Sequence, residues 1–229
     1  MVEQTLLPVA ALAGLAAYAV RGKSSSLLAP SIWHVDRKRR EIALTFDDGP
    51  SESTAALLKL LARHSARATF FMCGQNVRRL KDVAREVSAA GHEIGNHTDT
   101  HPALYFKSPE FIYREMAAAQ ETIAPIAVPK LFRAPYGVRW PGLRSAQARL
   151  NLTGVMWTVI GKDWKLPASR ISELLLNRAA NGAILCLHDG RGLRRAPDIR
   201  ATIDAVEAIL PVLMERGFSF ETVSQLTGL

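Results

Sequence analysis

The stretch Ile42-Ala43-Leu44-Thr45-Phe46-Asp47-Asp48-Gly49-Pro50 is a short apolar run that ends in two adjacent carboxylates and a Gly-Pro break. Apolar β-formers bounded by Gly and Pro read as a buried strand. Along a strand, successive side chains point to opposite faces. At a strand end the alternation relaxes, and Asp47 and Asp48 can turn into one pocket with different neighbours. Asp-Asp-Gly-Pro is also a good turn sequence in its own right. The turn-only reading gives way because three more polar clusters follow, each at the end of an apolar run.

The first is Asn96-His97-Thr98-Asp99-Thr100-His101, after Gly91-His92-Glu93-Ile94-Gly95. Two histidines four apart can aim both imidazoles at one ion. With one carboxylate they form a three-ligand set that keeps an open position, the pattern of a hydrolytic zinc site. The second is Leu131-Phe132-Arg133-Ala134-Pro135-Tyr136-Gly137 and the third Ile184-Leu185-Cys186-Leu187-His188-Asp189-Gly190. Singly, an Arg or a His at a strand end reads as a solvated or capping residue. Repetition in one relation to successive strands argues for a shared site.

Thr-Phe-Asp-Asp, then His-Thr-x-x-His, then Arg-Ala-Pro-Tyr-Gly, then Asp163-Trp164, then a strand ending in Leu187-His188 resembles, motif by motif, the polysaccharide deacetylases of carbohydrate esterase family 4, the NodB-type domain. The similarity runs from about Glu41 to Leu226 and takes in Thr69-Phe70-Phe71 and Gly91-His92-Glu93. It implies an irregular, incomplete (β/α) barrel. It also implies one divalent metal ion, zinc by default with cobalt or another divalent metal as alternatives, held by Asp48, His97 and His101. Asp47 is expected as general base and His188 as general acid. Arg133 is expected to pair with Asp47, and the Tyr136 backbone N–H to bind the oxyanion. Asp163 is expected to sit behind His188 and raise its proton affinity, and Trp164 to wall the acetyl pocket.

Two departures from the family pattern stand out. The fourth motif commonly reads Asp-x-x-Asp-Trp, whereas this chain has Ile160-Gly161-Lys162-Asp163-Trp164. The loss of that acid reads as a structural substitution, and Lys162 as a solvated lysine with an anionic substrate the alternative. The last motif is usually Leu-x-His, and here Cys186 takes the Leu place. Strand alternation puts Cys186 on the face of His188, so a slightly wider pocket wall is expected there.

The coarse pattern alternates strands and helices, which means parallel strands with helical crossovers. Helices are predicted over 52–64, over 77–90 with Asn76 as cap and Gly91 as stop, and over 109–123 with Ser108 as cap. A weaker helix is predicted over 140–150, one over 170–180 capped by Ser169, and one over 198–216 kinked at Pro211. Strands are predicted over 68–72, 154–159, 183–187 and 218–223. Functional groups at the carboxyl ends of such strands follow barrel logic.

With 229 residues and no linker or repeat, residues 41–229 suit a single catalytic domain. The two cysteines, Cys73 and Cys186, lie in apolar runs without metal-type spacing and read as buried thiols. Residues 1–40 are read as an apolar segment followed by a basic linker. Thr5 to Val20 carries no charge and, at ~1.5 Å per helical residue, spans ~24 Å against a ~30 Å hydrocarbon core. A signal-peptide core, a short anchor and a docked helix stay open, and Pro8 and Gly14 weaken any helix there. The protein is read as membrane-associated or exported to the envelope. The alternative is a cytoplasmic domain, which Arg21 and Lys23 after the segment favour.

Net charge is +8, with basic clusters at Arg37-Lys38-Arg39-Arg40, Arg78-Arg79-Lys81, and Arg191, Arg194, Arg195 and Arg200. Such a surface suits an anionic membrane or cell-wall polymer. Nucleic acid is not expected, because no aromatic-basic interleaving appears. The leading functional reading is N-deacetylation of N-acetylglucosamine units in a chitin-like or peptidoglycan polymer. The alternative is an O-acetyl xylan or a lipid-linked formyl or acetyl sugar. A catalytically silent carbohydrate-binding domain would be expected to lose the base, the ligands or the acid, and all five residues are present. Oligomeric state is not addressed by the sequence.

Overall fold

The structure, a computed structural model, describes residues 2–36 and 38–229. Met1 and Arg37, the latter part of the first basic cluster, lie outside the described residues. The strand quoted above is β1 (Glu41–Gly49), the centre of an eight-stranded sheet. Its order is β5 (Thr153–Gly154), β4 (Leu131–Phe132), β3 (Glu93–Asn96), β2 (Thr69–Met72), β1, β7 (Ile184–His188), β6 (Val159–Ile160). Every pairing is parallel. On one edge of β1, β8 (Ser219–Glu221) takes the first residues and β2 the rest, while β7 occupies the other edge. The sheet curls into a half-barrel with helices around it, as the family resemblance implies, and its parallel pairing follows the alternating pattern.

The alternation of β1 builds both layers. Ile42, Leu44 and Phe46 pack outward in one apolar cluster with Leu57 and Leu60 of α2 (Thr54–Arg63) and Val206 and Leu210 of α8 (Arg200–Glu215). Ala43 points to the interior with Phe71, Leu131 and Ile184. Thr45 and Asp47 continue that interior face towards the carboxyl end of the strand. The same period in β7 sends Leu185 and Leu187 outward and leaves Ile184, Cys186 and His188 inward.

The helices follow local signals in part. α5 (Pro109–Ile123) starts with Pro in its first turn, and Phe111 N–H donates to Ser108 Oγ at 3.2 Å, as the cap predicts. The helix expected over 77–90 is divided into α3 (Gly74–Arg79) and α4 (Lys81–Ala89) at Leu80 (φ −127°, ψ 51°). Asn76 lies inside α3 and caps nothing. Its Nδ2 donates to Asp48 O (2.8 Å) and Gly192 O (2.9 Å). α7 (Ala168–Arg178) begins one residue before Ser169, with Pro167 at the cap position. α6 (Leu143–Arg149) is shorter than expected, and α8 continues through Pro211. Gly217 (φ 82°) turns the chain into β8, and α9 (Val223–Thr227) follows with Thr222 and Gln225 as a capping box.

The strand expected over 154–159 is two short strands on opposite edges of the sheet. Between them the carbonyls of Val155 and Met156 accept from Arg133 (Nε 3.4 Å, Nη2 2.9 Å) instead of a neighbouring strand.

Helix α1 (Val2–Arg21) leaves Leu12 and Leu15 69% and 55% exposed. Its end is tied to the domain by Arg139, whose N–H donates to Val20 O at 3.0 Å and whose buried guanidinium reaches Gly22 O and Ser25 O. Among the described residues no helix is long and apolar enough to cross a membrane.

Candidate active site

The carboxyl ends of β1, β3, β4 and β7 open into one cavity of about 840 Å³. Strand alternation delivers Asp47 to it, but would send Asp48 out with Phe46. Asp48 instead has φ 73°, left-handed and rare for a residue with a Cβ, and the β1–β2 register shifts between Asp47 and Gly49. This bulge turns the second carboxylate inward as well. Both aspartates are buried.

Asp48 Oδ2 accepts from Gly192 N–H at 2.8 Å. Its Oδ1 is buried, has no hydrogen-bond partner, and lies 2.9 Å from His101 Nε2 and 3.3 Å from His97 Nε2. His97 Nδ1 lies 2.7 Å from the carbonyl of Arg133. A carbonyl only accepts, so Nδ1 carries the proton and Nε2 presents its lone pair to Asp48. Burial pushes the Asp48 carboxyl up, yet His101 and His97, when Nε2 carries a proton, hold it well below the usual carboxylate range. Three ligand atoms within 4.8 Å of one another, one of them an orphaned buried oxygen, fit a divalent cation. The two histidines sit on a loop with left-handed Thr98 (φ 66°) and His101 (φ 56°). Glu115 of α5 clamps that loop by accepting from Asp99 N–H, Thr100 N–H and Thr100 Oγ1 (3.2, 2.9 and 2.9 Å).

Beside this set, Asp47 Oδ1 accepts from Arg133 Nη1 at 2.7 Å. Arg133 is fully buried, and Nη1 also reaches Thr45 Oγ1 at 2.7 Å. Its guanidinium lies 4.1 Å from the Phe71 ring. Cys186 lies deeper than the pocket-wall place expected of it. It is fully buried, off the cavity lining, and its Sγ–H points at Asp47 Oδ2 (3.5 Å), with Arg133 Nη1 at 3.6 Å from the sulfur. Asp47, Cys186 and His188 also bring ligand atoms within 4.8 Å. The Arg133 cation on Asp47 opposes a metal there, so the Asp48 set is the one that fits.

His188, partly open at 15% side-chain exposure, accepts orientation from Asp163, whose Oδ1 lies 2.8 Å from Nδ1. Asp163 Oδ2 accepts from Thr202 Oγ1 (2.6 Å) and His188 N–H (3.0 Å). Arg191 lies 3.4 Å from the same oxygen and donates to Asp163 O at 2.9 Å. Burial alone would lower the His188 pKa, but the Asp163 hydrogen bond and the nearby carboxylates push it up to about 9. Burial raises Asp163 too, and the His188 hydrogen bond and charge, with the Thr202 hydrogen bond and the Arg191 charge, together outweigh it, leaving it below the usual range. Trp164, 53% exposed, stands edge-on to His188 with ring centroids 5.1 Å apart. Tyr136 is left-handed (φ 58°) and its ring packs on His101 with centroids 4.8 Å apart and planes 61° apart. Asp189, next to His188, turns away. It accepts from Thr54 Oγ1 at 2.7 Å, and burial pushes its carboxyl up to about 7.

Trp157, on the cavity wall, and the supporting groups Glu115, Thr202 and Gly192 are missing from the sequence reading, which gives Asn76 and Arg191 other roles, a helix cap and a place in a basic cluster. Each is brought to its place by tertiary approach, which its local sequence does not announce. Only Arg191 and Gly192 lie near a quoted motif.

A half-barrel with a carboxylate–histidine cation set, a second carboxylate and an imidazole at its open end defines a hydrolytic centre. The family model for polysaccharide deacetylases matches residues 34–155. A chitooligosaccharide deacetylase from Bradyrhizobium sp. is 36% identical over 198 residues, spanning 82% of this chain and 90% of that protein. A solved peptidoglycan N-acetylglucosamine deacetylase superposes with TM-score 0.80 at 30% identity, over 86% of this chain and 92% of that one. A family 4 carbohydrate esterase from Streptomyces lividans, in complex with acetate, gives TM-score 0.74 at 34% identity, over 82% and 95%. The chain belongs to the polysaccharide deacetylase family and is a hydrolase of that type.

Proposed function

We propose that this protein is a metal-dependent N-deacetylase acting on N-acetylglucosamine units of a chitin-like or peptidoglycan polymer. The observation that carries the reading is the orphaned Oδ1 of Asp48 facing His97 and His101, with Asp47–Arg133 and His188–Asp163 on either side. The relatives above are named for chitooligosaccharide and peptidoglycan N-acetylglucosamine, which supports this substrate class. Asp48, His97 and His101 would hold a divalent ion, zinc by default, which when bound would supply Lewis-acid polarisation of the amide carbonyl.

The chain's own residues carry the proton chemistry. Asp47 takes the proton of the attacking water at its carboxylate. Arg133 and the Cys186 thiol hold its two oxygens, so its orientation is set before substrate arrives. The backbone N–H of Tyr136 donates to the oxyanion as charge develops. His188, its Nδ1 held by Asp163, delivers a proton from Nε2 to the departing amine. Trp164 walls the acetyl group.

Acetate release from chitooligosaccharides by metal-stripped protein, with and without added zinc or cobalt, tests the reading. Release that requires metal is expected. Metal binding with no release from any N-acetyl oligomer would overturn the substrate class, and failure to bind metal would overturn the mechanism.

A further inference from the structure

The rim of the cavity carries more positive than negative charge. Arg21, Lys162, Arg191 and Arg194 all line it, brought together from the end of α1, the loop after β6 and the loop after β7. The single rim carboxylate, Asp198, is tied to Arg200 at 2.7 Å. Asp47 and Asp48 lie on the floor, engaged by Arg133 and the histidines. Ile160, also on the cavity lining, carries no charge.

Two of the rim cations have protein partners. Arg191 donates to the carbonyls of Asp163 and Gly190, and Arg21 donates from Nε to Tyr105 Oη. Lys162 and Arg194 have no ion pair and no side-chain hydrogen bond among the described residues. Lys162 also sits at φ 55°, a left-handed conformation that costs energy for a residue with a Cβ. Like charges gathered at a concave mouth repel one another and focus a positive potential into it. Cations held this way in a cleft are matched by a ligand of opposite sign.

We infer that this rim is an anion subsite, and that the saccharide reaching the centre carries a phosphate or a carboxylate beside its N-acetylated residue. The inference rests on the N-deacetylase reading and narrows it. Chitin oligomers are neutral, whereas acidic wall polymers and lipid-phosphate saccharides bring the missing charge. Arg21 gives the N-terminal helix a part in this recognition, since the last residue of α1 reaches the cavity.

The test is equilibrium binding to the zinc-loaded full chain, followed by turnover. The probes are a neutral chito-oligomer, the same oligomer with a reducing-end phosphate, and one with a carboxylate-bearing neighbouring sugar. At low salt the anionic probes should bind about tenfold more tightly than the neutral one. The preference should shrink severalfold between about 0.05 M and about 0.5 M NaCl, as rim charges are screened. The paired substitution Lys162→Ala with Arg194→Ala should shrink the same ratio, and Arg194→Glu should shrink it further. A larger preference for phosphate than for carboxylate assigns the anion to a phosphate-linked saccharide, and the reverse assigns it to an acidic polymer. Equal affinity for all three probes at low salt would overturn the inference. Preferential binding of an anionic probe with no acetate released would leave the subsite standing and defeat the deacetylase reading instead.

Discussion

Asp47 and Asp48 are neighbours in sequence with different surroundings, and the difference underlies the separate roles proposed for them. Asp48 has one oxygen on a backbone N–H and the other facing two imidazoles. Asp47 has an arginine and a thiol. Asp47→Asn keeps an acceptor for Arg133 and removes the proposed base. Turnover should fall by about 10²–10⁴-fold, while bound metal measured by atomic absorption stays near one equivalent. Loss of metal in that variant would exchange the two roles. His188, pushed up to about 9, is protonated below that value and loses its proton above it. Amide turnover that needs the proton therefore declines as pH rises through about 9. Asp163→Asn removes the group that opposes burial, so the alkaline limb of kcat/KM against pH should move to lower pH. An unmoved limb would separate Asp163 from the acid. The residues at these positions were legible because each stands in a motif after an apolar run. The inward turn of Asp48 was not, because φ 73° follows from the bulge between strands and not from the Asp-Gly-Pro run alone.

At the scale of elements, β1 and β7 were read nearly to the residue, since they are short apolar runs between turn residues, whereas β3 and β4 were marked only as apolar runs before polar clusters. Failures came where a polar or apolar residue serves a distant partner. Asn76 has the composition of a cap, yet its amide binds the carbonyls of Asp48 and Gly192. Val155 and Met156 have strand composition, yet their carbonyls hold Arg133. The loop 98–101 shows the same dependence. Two left-handed residues are held in place by Glu115 from α5 and by Arg78, whose Nη1 and Nη2 both reach Asp99 at 2.8 Å. Glu115 touches no ligand atom and acts by positioning. Glu115→Ala should weaken metal affinity about 10–100-fold, the usual effect of losing an outer-shell support. Competition with a chromophoric chelator measures this, and Glu115→Gln, which keeps one acceptor, should recover part of it. Unchanged affinity in the alanine variant would mean the loop is held without Glu115.

Over the whole molecule, the site joins strands far apart in sequence. β1, β3, β4 and β7 each contribute to a floor that contains Asp47, Asp48, His97, Arg133 and His188. A cation bound by Asp48, His97 and His101 would therefore tie β1 to the loop after β3 across β2, and exists only in the folded chain. Ligands that bind the native state alone stabilise it by mass action, about 2.7 kcal/mol when free ligand is 100 times Kd. For a domain of this size that corresponds to a rise of roughly 5–10 °C in Tm. Calorimetry of metal-stripped protein titrated with zinc should show this rise without any substrate present. In His97→Ala the rise should largely vanish. The Tm of the metal-free variant should fall less than that of the zinc-loaded one, since Asp48 Oδ1 is already without a hydrogen-bond partner. A zinc-dependent rise that survives in both His97→Ala and His101→Ala would place the ion elsewhere in the molecule.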